Sequence, residues 1–126
     1  MGKRLWSLWL MALSMGIGVA AHAAAHTTHQ LLSRSGPTAM SITPTPAQAQ
    51  WLDQHPVLIL GTSAPDYAPF DMTASGRDYE GLTADYAGLI SNSLKRPIQV
   101  KRYASRDQAL QALLGGDIDL LGSANG

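Results

Sequence analysis

The 126-residue sequence contains no cysteine, and its nine basic side chains are matched by nine acidic ones, so the formal net charge is zero. Without cysteine the chain has no disulfide framework, no thiolate nucleophile and no cysteine-based zinc site. Without an excess of positive charge it lacks the basic face expected of a nucleic-acid-binding protein. Aromatic residues make up only 6% of the chain. The length allows at most one domain of ordinary size.

The first 23 residues have the organisation of a secretory signal peptide. A short basic segment ending at Arg4 precedes an uncharged apolar run from Leu5 to Ala20, and Ala21 to Ala23 supply a small-x-small cleavage site. An uncleaved membrane anchor is the alternative, but a spanning helix needs about 20 apolar residues. The run reaches that length only by including a histidine and a weak alanine tail. We therefore predict that residues 1–23 are cleaved during export to the periplasm.

Two segments of different composition follow the predicted signal peptide. Residues 24–45 are rich in Ala, Ser, Thr and His and show no apolar period, which predicts a linker or a poorly ordered arm. Residues 46–126 have the pattern of a folded domain. This domain begins with a short helix that Pro46 opens and Pro56 ends.

The folded segment alternates between strand and helix patterns. We predict strands at 57–61, 98–103 and 117–122, and helices at 82–95 and 105–114. Thr83 is the expected N-cap of the first of these helices, and Ser105 with Gln108 forms a capping box at the second. The apolar stripes expected to face the core are Leu82, Tyr86, Leu89, Ile90 and Leu94 in one helix, and Ala109, Leu110, Leu113 and Leu114 in the other.

The order of these elements predicts an α/β fold with parallel strands and crossover helices. In open α/β sheets, ligands bind beyond the carboxyl ends of the strands. Three segments lie at those ends: 63–70, 103–105 and 122–126. Topology therefore places a candidate site there.

Several segments also carry a family resemblance. GTSAPDYAPFDM (61–72), YEGLTADYAGLI (79–90) and RYASRDQALQALLGGDIDLLGS (102–123) resemble, in this order, the amino-terminal part of bacterial family 3 extracellular solute-binding proteins. Those proteins are periplasmic Venus-flytrap domains that bind amino acids. The lead-in TPAQAQWLDQHPVL (45–58) resembles the entry found in the tandem periplasmic sensor domains of BvgS/EvgS-type hybrid histidine kinases. The segment YEGLTADY (79–86) resembles the first flytrap domain of that group.

The resemblance implies part of a periplasmic-binding-protein-like (type II) lobe. Residues 46–126 would be the amino-terminal part of lobe 1, and the chain would be a truncated product of a longer sensor. The partners implied are a small polar metabolite, such as an amino acid or small carboxylate, and the missing second lobe of the parent protein. The family's carboxylate-binding arginine would lie beyond the end of this chain, and contact with a membrane would come only through absent downstream segments.

The resemblance also implies ligand-binding residues. Tyr67 falls where an aromatic ring stacks on the ligand, and Ser123 falls at a ligand-contact position. Asp66, an acidic group beside an aromatic ring, suits a ligand ammonium. Phe70 is a further candidate. Each has a simpler interpretation: Tyr67 covers the loop, Phe70 fills the core, Asp66 is a solvated loop residue, and Ser123 belongs to a plain turn.

No catalytic constellation, cofactor or metal site is predicted. The serines at 63, 105 and 123 have no plausible histidine partner, because His55 is the only histidine in the predicted folded region. The histidines at 22, 26 and 29 suggest a Cu(II) or Ni(II) site, but a processing region followed by an arm explains them better. Two alternatives to a sensor module stay open: part of an ABC-transporter amino-acid-binding protein, and part of a periplasmic dehydratase or lytic transglycosylase of the same fold.

Overall fold

The computed structural model describes residues 24–122, and these residues form one sheet with helices on both faces. The predicted signal peptide lies outside the described residues. The elements in chain order are β1 His26–Leu31, α1 Pro46–Asp53, β2 Leu58–Ser63, β3 Asp78–Tyr79, α2 Leu82–Leu94, β4 Ile98–Tyr103, α3 Arg106–Gly115 and β5 Leu120–Leu121. None of the helices in this part of the chain is long and apolar enough to cross a membrane.

The sheet has the strand order β3-β1-β4-β2-β5. β2 lies parallel to both β4 and β5. β1 lies antiparallel to β4 and parallel to β3, so the sheet is mixed. The predicted α/β fold is confirmed, and the parallel pairing holds for the three strands that the sequence pattern identified.

The prediction of a poorly ordered arm is wrong for His26–Leu31, because this segment is strand β1. It pairs with β4 from His26 opposite Tyr103 to Gln30 opposite Gln99. The sequence HTTHQL has no apolar alternation, and His29 is its one buried side chain. Backbone hydrogen bonds to β4 satisfy the main chain of this segment, and such bonds do not depend on apolar side chains.

Residues 33–40, which we call the N-terminal strap, lie across α2. The Arg34 amide donates to Asp85 Oδ1 at 2.7 Å. Further along the helix, Asn92 Nδ2 donates to the carbonyl oxygen of Gly36 at 2.8 Å. Polar side chains on one face of α2 therefore bind the backbone of the strap.

Two apolar clusters lie on opposite faces of the sheet. Leu58 and Leu60 of β2 point toward α2, whereas Ile59 packs in the cluster under α3. The α2-side cluster contains Leu58, Leu60, Tyr79, Ala84, Ala87, Ile98 and Val100, and the α3-side cluster contains Tyr103, Ala109, Ala112 and Ile118. The core is thus two layers of helix on a central sheet.

The fully buried residues of α2 and α3 are smaller than most residues of the predicted apolar stripes. In α2 the buried residues are Ala84, Ala87 and Gly88, while Leu82 and Tyr86 from the expected stripe are 45% and 62% exposed. In α3 the buried residues are Ala109 and Ala112, while Leu114 is 73% exposed. Small side chains at the contact allow closer approach of the helix backbone to the sheet. The predicted stripes are confirmed in part, because Ile90, Leu94 and Leu113 still pack against the two clusters.

The capping predictions are confirmed in part. Ser105 caps α3, and its hydroxyl accepts a hydrogen bond from the Gln108 amide at 3.2 Å. At α1, which begins at Pro46, Thr45 and Gln48 form a full capping box. Caps of this kind contribute about 1 kcal/mol each. The predicted third strand is shorter than expected, because only Leu120–Leu121 of 117–122 pairs with β2.

Gly88 gives a test of the contact between strap and helix. A Cβ at this position would lie 1.9 Å from Ser33 Oγ and 2.4 Å from Ser33 Cβ. Helix propensity alone favours alanine over glycine by about 1 kcal/mol, whereas overpacking costs about 1–3 kcal/mol. We expect Gly88→Ala to lower the free energy of unfolding in urea by about 1 kcal/mol or more.

Gly115→Ala is the matched control, because an added Cβ there meets nothing within 4 Å. This variant should be neutral or slightly stabilising, by at most about 1 kcal/mol. Equal effects of the two substitutions would contradict the packing of the strap against α2.

Candidate functional site at the carboxyl edge of the sheet

Residues 64–73, which we call the edge loop, follow the carboxyl end of β2 and fold back on themselves. The Tyr67 amide donates to the Asp71 carbonyl at 2.8 Å, and the Asp71 amide donates back to the Tyr67 carbonyl at 2.9 Å. The Phe70 amide also donates to the Tyr67 carbonyl. These bonds close a tight turn that presents the side chains of Tyr67 and Phe70 together.

The edge loop is bound to the amino terminus of α2. The amides of Leu82 and Thr83 donate to the carbonyl oxygens of Pro69 and Phe70, each at 3.1 Å. The N-cap is Gly81, with φ +118°, and a Cβ there would lie 2.4 Å from the Phe70 oxygen. The prediction of Thr83 as N-cap is therefore wrong, because loop carbonyls satisfy the free amides that a capping side chain would otherwise bind.

A buried hydrogen bond joins the edge loop to the core. The Tyr79 hydroxyl, on a fully buried side chain, donates to Oδ1 of Asp71, which is 6% exposed. Burial raises the pKa of Tyr79 well above its usual value, and the Asp71 carboxylate raises it further. The hydroxyls of Thr62 and Thr83 contact the same phenol and partly oppose this rise in the pKa.

The rings of Tyr67 and Phe70 form an exposed aromatic pair. Their centroids lie 5.5 Å apart and their planes differ by 13°. Tyr67 is 57% exposed and Phe70 is 40% exposed. The interpretation of Phe70 as a core residue is therefore wrong, because it packs on Tyr67 at the surface instead of under the loop.

Asp66 is held by three hydrogen bonds. Oδ2 accepts from the Thr73 amide at 2.8 Å, and Oδ1 accepts from the Thr73 hydroxyl at 2.8 Å and from Arg102 at 2.9 Å. The hydrogen bond from the Thr73 backbone amide is the main cause that lowers the pKa of Asp66. The Arg102 guanidinium lowers this pKa further, whereas partial burial of the carboxyl group opposes the change. Asp66 is thus an ordered carboxylate, not a freely solvated one.

The structure brings two of the three predicted edge segments into contact. Arg102, near the end of β4, reaches Asp66 after β2, and the Ala64 amide donates to the Tyr103 carbonyl at 2.9 Å. Sequence reasoning missed Arg102. Its position two residues after buried Val100 on an alternating strand was the available signal, because it puts the Arg102 side chain on the same face of the sheet as Val100.

The third segment is described only at its first residue. The Gly122 amide donates to the Gly61 carbonyl at 2.8 Å, and a Cβ on Gly122 would lie 3.4 Å from the Tyr79 hydroxyl oxygen. The expected close backbone approach at Gly122 is therefore observed. Ser123, the candidate that follows it, lies outside the described residues.

The described residues offer no metal site of ordinary composition. Between residues 24 and 122, no group of three or more His, Asp or Glu side chains is placed to hold a metal ion. His29 is buried, and its Nε2 lies 2.9 Å from the Thr27 hydroxyl. The chemistry at the edge of the sheet is that of an aromatic pair beside an ion pair, which suits binding of a small molecule.

The hydrogen bonds to Asp66 predict a pH dependence of stability. Because the pKa of Asp66 is lower in the folded chain than in the unfolded one, its contribution is fully present above the unfolded pKa. The contribution is lost as the pH falls through the folded pKa. We expect Asp66→Asn to lower the urea midpoint at neutral pH, and the gap from the wild type to close in strong acid.

Asp53→Asn is the control, since the Asp53 side chain is 80% exposed and its ion pair with Arg96 spans 3.6 Å. That substitution should have a small effect at every pH. A gap for Asp66→Asn that is constant with pH would show that its carboxylate has no stabilising charge interaction.

Curated relatives and solved structures are similar to this chain, while no family model matches it. The virulence sensor protein BvgS of Bordetella pertussis is 52% identical over 77 residues, which is 61% of this chain and 6% of that protein. BvgS of Bordetella bronchiseptica is 51% identical over the same length. The chain thus spans only a small part of the relatives that it matches.

The structural comparison agrees with the sequence comparison. The crystal structure of the Bordetella pertussis BvgS periplasmic domain matches with a TM-score of 0.69 and 40% identity, over 75% of this chain and 18% of that one. The VFT2 domain of the same protein matches with a TM-score of 0.58 at 19% identity, over 64% of this chain and 34% of that one, and so supports the fold alone. By sequence and by fold, the chain is homologous to part of the Venus-flytrap periplasmic region of BvgS.

Proposed function

We propose that the chain is part of a periplasmic sensing module that binds a small polar metabolite, such as an amino acid or a small carboxylate. Its parent would be a family 3-type flytrap sensor that signals to a two-component kinase. The observation that carries the proposal is the aromatic pair of Tyr67 and Phe70, exposed on an anchored loop at the carboxyl edge of the sheet. This is where open α/β sheets bind ligands.

The aromatic pair suits a ligand with a flat or apolar portion. Each ring has one face turned to its partner, so the outer face of the pair is available for stacking. The backbone of the edge loop is restricted by its hydrogen bonds. Two exposed rings on such a loop supply contact area at a low cost in conformational entropy. Tyr67 and Phe70 would therefore stack on the ligand, with Asp66 beside them and Ser123 as the contact from the third edge segment.

In a flytrap domain, signalling follows from closure of two lobes on the ligand. A ligand that binds the closed state better than the open state shifts the population toward closure. The residues described here form one wall of such a cleft, and the opposite wall would come from the second lobe of the parent. Contacts with one wall alone should give an affinity no better than millimolar, because enclosure supplies much of the binding energy.

The alternatives weighed from the sequence are a transporter binding protein and a periplasmic enzyme. The relatives matched here are named as sensor proteins, which favours sensing over transport. The described residues at this edge of the sheet present a stacked aromatic pair and an ion pair, which suit binding of a small molecule. We also propose that residues 1–23 are removed on export, so that the mature protein begins at residue 24 and acts in the periplasm.

The role of Tyr67 can be tested with the full chain labelled with ¹⁵N. We expect amino acids added singly at millimolar concentration to shift the amide resonances of the edge loop in a saturable way. Tyr67→Ala should weaken the binding several-fold, because the loss of one stacked aromatic contact costs about 0.5–1.5 kcal/mol. The measurement is the concentration dependence of the amide shifts of residues 64–73.

Tyr86→Ala is the matched control, because Tyr86 is similarly exposed but lies on α2 beside Ser35 and Thr38 of the strap. It should leave the titration unchanged. Shifts that appear elsewhere while residues 64–73 stay unperturbed would refute the site. Equal effects of the two tyrosine substitutions would also refute it.

A further inference from the structure

A cavity of about 370 Å³ lies at the same edge of the sheet, between β1 and β4. Arg102, Tyr103, His26 and Thr27 are among the residues that line it. Small-molecule sites in proteins begin at about 300 Å³, so the space suits a small metabolite. The cavity opens beyond the carboxyl end of β4, next to the edge loop but on the opposite side from β5.

Arg102 has unused hydrogen-bond donors beside this cavity. Its side chain is 23% exposed and is fixed by the register of β4, where Arg102 lies opposite Thr27 on one side and Thr62 on the other. A guanidinium carries five N–H donors and keeps its charge at any ordinary pH. Among the described residues, the Arg102 side chain makes one hydrogen bond, from Nη2 to Asp66 Oδ1.

Arg102 supplies the positive charge at the cavity. No acidic side chain is among the residues that line it, although the Asp66 carboxylate is hydrogen-bonded to Arg102 at 2.9 Å. His26 packs against Tyr103 with ring centroids 5.5 Å apart, which holds the imidazole at the mouth of the cavity. A guanidinium with free N–H groups in a fixed plane is suited to bind a carboxylate through two parallel hydrogen bonds.

We propose that this cavity binds the carboxylate group of a small organic acid, and that Arg102 is the residue that recognises it. The inference rests on the proposed function, because it names the chemical class of the ligand of the same sheet edge. It differs from the family expectation stated above, in which the carboxylate-binding arginine follows the strand that is β5 here. Arg102 lies on β4, and β2 separates the two positions.

Asp66 restrains the binding of an anion at this site. Its carboxylate already occupies one N–H of Arg102 and places a negative charge near the position of an incoming anion. A ligand carboxylate must therefore bind against that charge, and the hydrogen bonds of Thr73 to Asp66 keep the charge in place. Removal of the Asp66 charge should strengthen anion binding, whereas a site that does not involve Arg102 should be indifferent to it.

The test is titration of the ¹⁵N-labelled full chain with succinate, followed through the Arg102 Nε–H signal and the amides of Thr27 and Ala104. Succinamide and sodium chloride at matched ionic strength are the ligand controls. We expect saturable shifts with succinate only. Arg102→Gln should weaken binding at least roughly tenfold, Arg102→Lys should weaken it less because the charge stays, and Asp66→Asn should strengthen it several-fold.

Lys101→Gln is the control variant, because Lys101 is the neighbouring cation on β4 and its amine contacts the Asp117 carbonyl outside the cavity. It should bind succinate as the wild type does. If Arg102→Gln fails to fold, the opposite shifts in affinity expected for Arg102→Lys and Asp66→Asn still decide the matter.

Equal affinity of the wild type and the Arg102 variants overturns the inference, as does a succinate response that sodium chloride reproduces. Absence of any response to succinate also overturns it. The proposed function stands in each of these cases if amino acids still shift the edge loop in a manner that depends on Tyr67, and it fails separately if they do not.

Discussion

The buried hydrogen bond from Tyr79 to Asp71 is the contact on which the arrangement of the candidate site depends. Both partners are almost fully removed from water, and a buried carboxylate that loses its donor costs about 1–3 kcal/mol or more. Tyr79 belongs to the core cluster under α2, whereas Asp71 ends the turn that begins at Tyr67. The bond therefore joins an otherwise exposed loop to the most buried part of the fold.

Other features of the edge follow from that attachment. With Asp71 fixed, the carbonyls of Pro69 and Phe70 lie where the first amides of α2 can donate to them, and only a glycine fits at position 81. The turn then presents the rings of Tyr67 and Phe70 outward as a stacked pair. A site prepared in this way loses little further freedom on binding, which is the main benefit of preorganisation.

The sequence predicted those elements whose formation depends on local pattern. β2, α2, β4 and α3 were found because their apolar periods, caps and proline or glycine boundaries are local signals. Strand β1 was missed because HTTHQL has no such period, and its pairing with β4 brings together residues about 70 positions apart. The exposed placement of Leu82 and Tyr86 was missed for a similar reason, since the strap and sheet that select the buried face of α2 are distant in sequence.

The candidate site also has some features that the sequence predicted and others that depend on contacts between residues distant in sequence. The order of strands placed Tyr67 and Asp66 at the carboxyl edge, and the aromatic residue after β2 was identified from the resemblance. The ion pair of Asp66 with Arg102 was not predicted from the sequence. Its partners are 36 positions apart, and their contact depends on the parallel register of β2 and β4. Homology to BvgS supports the fold, while the proposed ligand chemistry rests on the side chains at this edge.

The most direct test of this account is amide hydrogen exchange in the wild type and in Tyr79→Phe, which removes one hydroxyl and keeps the ring. If the buried bond holds the edge loop, the amides of Tyr67 and Asp71 are protected in the wild type. They should exchange roughly tenfold faster in the variant, in line with the loss of about 1.4 kcal/mol. The amides of β4 should accelerate much less. Unchanged exchange in the edge loop, or uniform acceleration across the sheet, would contradict the claim that this bond prepares the site.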